Sequence, residues 1–119
     1  MRYTMLIYET PAEANRRNDP AQAEAYWAAW TAYAAAIGES GIAVGGSGLQ
    51  PPAMATTVRV RGGQRHVQDG PFADTKELLG GYFTLEVPDL DTALTWAARC
   101  PAASSGSIEL RPNLPPPPA

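Results

Sequence analysis

An α+β domain with a ferredoxin-like order of elements is what this 119-residue sequence predicts, on three observations. Six strand-like runs are interrupted by two segments of helical period. Their order is strand, long helix, strand, hairpin, strand, helix, strand: a β-α-β-β-α-β frame with an extra hairpin strand. Two helices cover one sheet face only, and the other face carries Thr4, Leu6 and Tyr8, too apolar to be left wet. A second copy packed there predicts a homodimer of the dimeric α+β-barrel type.

The first strand is residues 2–9, with Tyr3, Met5 and Ile7 on one face and Thr4, Leu6 and Tyr8 on the other. Both faces are largely apolar, which places the strand centrally. Residues 10–19 read as a polar loop. The long helix starts at Asp19-Pro20-Ala21-Gln22, with Asp19 as cap and Pro20 at the first helical position, and runs to about Ser40. Tyr26, Trp30, Tyr33 and Ile37 form one face at spacings of four, three and four, and Trp27 widens it. This stripe reads as core packing against the sheet. Gly41 ends the helix.

Residues 42–49 form a short strand containing three glycines. A phosphate cradle needs such glycines to open into a helix N-terminus; Pro51-Pro52 follows instead, which rejects nucleotide binding. Residues 56–61 and 64–68 flank Gly62-Gly63, a two-residue hairpin turn. That turn sets Arg61 opposite Gln64, Arg59 opposite His66 and Thr57 opposite Gln68. Val58, Val60 and Val67 share the other face, which Asp69 joins with Thr56. Residues 81–87 are the next strand, with Phe83, Leu85 and Val87 inward. Asp89 caps a second helix reaching Cys100, with Leu90, Ala93, Leu94 and Ala97 as its buried stripe and Pro101 as its stop. Residues 107–111 close the sheet with Ile108 and Leu110 inward.

Composition bounds the function. Residues 1–112 make one domain, and 113–119 form a proline-rich, extended tail. Hydrophobic residues at 45% supply a single core, and a net charge of −3 argues against a nucleic-acid footprint. No apolar run of about 18 residues is present to span a membrane. The N-terminus enters a strand pattern without a signal-peptide cleavage site, and the lone Cys100 has no disulfide partner. The expected compartment is the cytoplasm. A lone histidine, a lone cysteine and scattered carboxylates show no metal-ligand spacing, and no cofactor is expected.

The residues with chemistry crowd between positions 69 and 82. Asp69 is the candidate catalytic group. On an apolar face its carboxylate has to be paired, hydrogen-bonded or shifted toward general-base use; equally, an Asp-Gly-Pro turn uses its carboxylate on its own backbone. The candidate substrate-binding residues are Tyr8, Phe72, Lys76, Glu77 and Tyr82. Lys76 suits an anionic group and Glu77 a second acid or base; the alternative is a capped helical turn from Asp74 to Glu77 that Gly80-Gly81 ends. His66 falls on the polar face, away from Asp69, and Cys100 reads as a buried structural thiol.

Asp69-Gly70-Pro71-Phe72, followed by Lys76-Glu77 and Gly80-Gly81-Tyr82, resembles the DGPF subgroup of the YCII-related proteins. Leu6-Ile7-Tyr8, Gly48-Leu49-Gln50-Pro51, Asp89-Leu90-Asp91 and Ile108-Glu109-Leu110-Arg111-Pro112 extend the resemblance over nearly the whole chain. It implies a ferredoxin-like fold, a dimer and a cleft near the sheet. Most DGPF members have no assigned activity, and some occur beside or fused to extracytoplasmic-function sigma factors. The broader family is linked to elimination on ring substrates by a His–Asp pair. Residues 20–40 hold no histidine, so only Asp69 has a counterpart; Asp74 stands where glutamate is commoner.

Beside a plain dimerising domain, in which the motif only shapes the loop, two functions follow. One is a cofactor-independent small-molecule enzyme doing proton transfer, isomerisation or elimination at a dimer-associated cleft. The other is a non-catalytic ligand-binding or regulatory module, tied by the resemblance to a sigma factor. Absence of the dyad favours the second.

Overall fold

The computed structural model describes residues 1–118; Ala119, the last position of the proline-rich tail, lies outside the described residues. Strand β1 (Arg2–Glu9) is followed by helices α1 (Pro11–Asn15) and α2 (Ala23–Glu39), then strands β2 (Ala43–Gly48), β3 (Thr56–Arg61), β4 (Gln64–Asp69) and β5 (Leu78–Glu86). Helix α3 (Leu90–Arg99) and strand β6 (Ser107–Pro112) complete the chain. The fold is α+β, with two antiparallel sheets: a four-stranded one in the order β2-β5-β1-β6, and β3-β4 by itself.

Alternation along β1 does what it predicts. Tyr3, Met5 and Ile7 are buried under the helices, while Thr4, Leu6 and Tyr8 on the outer face are half-buried. Tyr33 and Ile37 of α2 meet Ala93 and Ala97 of α3 over Leu85 and Val87. Met5, Ile37 and Leu85 are fully enclosed, each worth roughly 1.5–3 kcal/mol of burial. The Tyr33 hydroxyl donates to the Trp96 carbonyl at 2.7 Å and so locks the two helices together.

Several expectations are corrected. Residues 10–19 are not a plain loop: Thr10 caps α1 by accepting from the Glu13 amide at 3.2 Å, and a 3-10 turn at Arg16–Asn18 follows. Helix α2 begins at Ala23 rather than at Pro20, because Asp19 closes a turn of its own, accepting from the Ala21 amide and the Gln22 side chain. In α3, capped by Asp89 as predicted, Ala93 and Ala97 face the core but Leu90 and Leu94 are about half exposed. The buried stripe is rotated toward Trp96, whose indole packs on Tyr33 with centroids 6.3 Å apart.

Strand β5 starts at Leu78, not at residue 81, so no helical turn spans 74–77 and Gly80-Gly81 lie inside the sheet. The hairpin has the predicted register, with Arg59 opposite His66 and Thr56 opposite Asp69. Gly62 and Gly63 take φ of 58° and 75°, which L side chains resist and the tight turn requires. The hairpin does not join the main sheet, however, and its valine face is exposed.

Candidate functional site

The alternation that buries Tyr3, Met5 and Ile7 also buries Glu9, at 1% exposure. A carboxylate there has to be matched in charge. Arg17, carried inward by the 3-10 turn, donates from Nη2 to Glu9 Oε1 at 2.8 Å. Tyr26, one turn into α2, donates its hydroxyl to Glu9 Oε2 at 2.5 Å and accepts from Arg17 Nε at 3.0 Å. The three side chains close a ring that ties β1, the 3-10 turn and α2 together.

Arg17 reaches further. It donates to the Leu49 carbonyl at 2.7 Å and to the Gly80 carbonyl at 3.1 Å, joining the segment after β2 to β5. Four of its five N–H donors are thereby used. Burial works against the guanidinium, but the bonds to Tyr26 and Glu9 more than offset it, and its pKa is raised. The Tyr26 hydroxyl is pushed up to about 12, chiefly by burial, with the Glu9 bond adding and Arg17 opposing.

Gly80 is small because of this ring. A Cβ there would lie 2.6 Å from Glu9 Oε1 and 2.9 Å from an Arg17 nitrogen. The strand is also irregular here, with Ile7 opposite Gly81 but Tyr8 opposite Leu79. Such bulges commonly flank functional sites.

Arg17 and Tyr26 also line a cleft of about 650 Å³ between α2 and the β2 edge of the sheet, inside the size range of small-molecule sites. Trp27 and Trp30 of α2 form its aromatic wall, Gly46–Gly48 and the following Leu49–Pro51 its opposite side, and Gly80–Phe83 its base. Trp27 meets Tyr26 edge-on with centroids 4.9 Å apart, and the Arg17 guanidinium lies 5.7 Å from the Trp27 ring. The arrangement suits a flat apolar body placed against the indoles with an acceptor atom toward Arg17. Arg17 and Tyr26 are hydrogen-bonded to each other and to Glu9, and neither titrates near neutrality.

Of the candidate catalytic and substrate-binding residues, Tyr82 alone lines this cleft. Tyr8 lies on the outer sheet face, opposite Leu79. Phe72 is exposed, with the Arg59 guanidinium 5.6 Å from its ring. Lys76 is exposed and Glu77 half-buried, and Thr75 donates to the Glu77 carbonyl. Asp69 is exposed at the end of β4, since its face of the hairpin is uncovered; the apolar burial expected to activate it is absent within this chain. Nor does its carboxylate bind the turn backbone among the described residues: the Gly70 amide donates to Ala55 O instead. His66 is exposed opposite Arg59. Cys100 is buried, its thiol pushed up to about 11 mainly by burial.

Sequence reasoning gave no role to Glu9 or Arg17, and it read Trp27 and Trp30 as core packing where they line the cleft, Trp27 being half exposed. The signal for Glu9 was present: it continues the 3, 5, 7 parity of the buried face.

The YCII-related domain model matches residues 1–115. A protein of Rhizobium meliloti (strain 1021), described as uncharacterized, is 44% identical over 66 residues. That alignment covers 54% of this chain and 53% of the relative, so the match spans about half the length of each. With the family model running from the first strand to the end of the last, the chain belongs to the YCII-related family.

Proposed function

We propose that this chain is a small-molecule-binding protein whose ligand sits in the cleft between α2 and the β2 edge. The observation that carries the reading is a cavity of about 650 Å³ lined by Trp27, Trp30 and Arg17, with the Arg17 guanidinium 5.7 Å from the Trp27 ring. The ligand class is a compact planar molecule bearing a carbonyl or carboxylate oxygen. Its ring stacks on indole, and its acceptor takes the remaining Arg17 donor or the unpaired amides that an edge strand offers. Binding without chemistry is preferred over catalysis because Arg17 and Tyr26 are committed to Glu9.

The strand order β2-β5-β1-β6 with helices after β1 and β5 is what a ferredoxin-like frame requires, and two copies paired through the outer sheet face complete the proposed dimeric barrel. The half-exposed Leu6, Tyr8, Leu79 and Tyr82 on or beside that face support this. The DGPF assignment rests on Asp69-Gly70-Pro71-Phe72 followed by Lys76-Glu77 and Gly80-Gly81-Tyr82.

The test is a thermal-shift screen of planar aromatic acids and amides against the wild type and Trp27→Ala. A ligand at about 100 times its Kd stabilises by about 2.7 kcal/mol. We expect hits whose shift is lost in Trp27→Ala. Hits that bind the variant equally well, or no hit across the set, contradict the assignment.

A further inference from the structure

The β3-β4 hairpin projects from the body as an arm. With this arm and the exposed tail that follows β6, the Cα radius of gyration is 16.4 Å, against about 13.5 Å for a compact chain of this length. Val58, Val60 and Val67 are 59%, 61% and 57% exposed on one face of the arm. A two-stranded hairpin alone in water is marginal, so a stable valine face needs a cover.

The two strands of the arm are tied together at its base. The Gly70 amide donates to the Ala55 carbonyl at 2.7 Å, and the Thr57 hydroxyl donates to the Gly70 carbonyl at 2.8 Å. Arg59 donates to Gln68 at 3.0 Å and covers Phe72. Gly70 to Phe72, the conspicuous turn of the sequence, therefore form the foot of the arm.

Charge is divided between arm and body. Residues 56–69 hold Arg59, Arg61 and Arg65 against Asp69 alone, a net +2; the whole chain carries −3, so the remainder carries −5. The body also leaves apolar residues exposed or half-exposed on its outer sheet face, Leu6, Leu79 and Tyr82 among them.

We infer that the arm is a reciprocal clasp: in a two-fold dimer, the valine face of each arm is covered by the acidic body of a second copy of this chain. A basic apolar arm and an acidic body with an uncovered apolar face are complementary within one sequence, as an isologous contact requires. A stable interface needs about 20–30 residues a side, more than the arm supplies, so the arm adds to the sheet-face contact and does not replace it. Asp69 shares the valine face, so the second copy is also what surrounds Asp69. The inference rests on the proposed dimer and is independent of the cleft's ligand.

The experiment compares the full chain with two variants by light scattering and sedimentation. One is Val58→Ser/Val60→Ser/Val67→Ser. In the other, residues 56–69 are replaced by a Gly-Gly link between Ala55 and Gly70, whose backbones already meet. Near-ultraviolet dichroism of the tryptophans reports whether the body is folded. We expect a wild-type dimer at about 10 µM, weakened by salt over a tenfold range. Both variants should dimerise at least about tenfold less tightly with their tryptophan spectra retained. A wild-type monomer overturns both dimer and clasp. A wild-type dimer matched in affinity by the folded arm-excised variant overturns the clasp alone.

Discussion

Replacing Arg17 by Met probes the ring that builds the cleft. The substitution keeps an unbranched apolar stem and removes every donor. Four bonds vanish, to Tyr26, Leu49, Glu9 and Gly80, and Glu9 at 1% exposure keeps only the Tyr26 hydroxyl. Breaking one side of a buried ion pair costs about 3–5 kcal/mol. A domain has about 5–15 kcal/mol in all, so Arg17→Met should lose at least about a fifth of its stability. At roughly 4 °C per kcal/mol, the Tm falls by about 12–20 °C. Glu9→Leu/Arg17→Met leaves no charge unmatched and should lose much less than the two single losses combined, a coupling above about 2 kcal/mol. Urea unfolding followed by circular dichroism measures each corner, and an unchanged m-value confirms comparable states. A loss below about 1 kcal/mol for Arg17→Met, or an additive cycle, would refute the ring as the element holding this end of the fold.

Three further outcomes follow from the packing. Gly80→Ala forces a methyl against Glu9 and Arg17 and should cost about 1–3 kcal/mol in urea unfolding, with the loss reduced when Glu9→Leu/Arg17→Met is already present. Ala93→Leu, at a fully buried site, should cost a similar 1–3 kcal/mol, whereas Leu94→Gln at the half-exposed position should stay within about 0.5 kcal/mol. Raising the pH through 9 to 12 should lower stability steadily. Folded Cys100 and Tyr26 lie at about 11 and about 12, above their ordinary values, and Tyr33 is raised too. Each binds its proton more tightly when folded, so its contribution is complete below the ordinary value and is lost as pH rises through the folded one. Tyr26→Phe should flatten the upper part of that decline, and an unaltered profile would count against the burial of its hydroxyl.

Local patterns carried much of the fold. Parity along β1 and the four-three-four spacing on α2 reported buried faces directly. Gly62-Gly63 determined the hairpin register, because a two-residue turn leaves no alternative pairing. The shortfalls are non-local. A register states which residues share a face, and Asp69 does share one with the valines. Whether anything covers that face depends on where the hairpin goes, and no residue within it says so. Helix α1 is five residues long, too short to show a period. Arg17 matters through Glu9, Tyr26, Leu49 and Gly80, which are distributed over the chain. In α3 the alanines, not the leucines, face the sheet, because Trp96 claims the adjoining space beside Tyr33. Of the candidate site, the glycines of β5 were visible as a motif, but their reason, the ion pair against Gly80, required the fold.

The three tryptophans give the central claim its most direct measurement. Trp27 and Trp30 line the cleft, while Trp96 packs under Arg99 at 4.1 Å and serves as an internal control. Proton–nitrogen NMR spectra recorded while titrating a thermal-shift hit report all three indoles and the backbone amides together. The account predicts that the indole signals of Trp27 and Trp30 move with the amides of Gly46–Gly48 and Gly80–Gly81, while Trp96 stays still. Shifts confined to residues 69–77, with both cleft indoles unmoved, would contradict it.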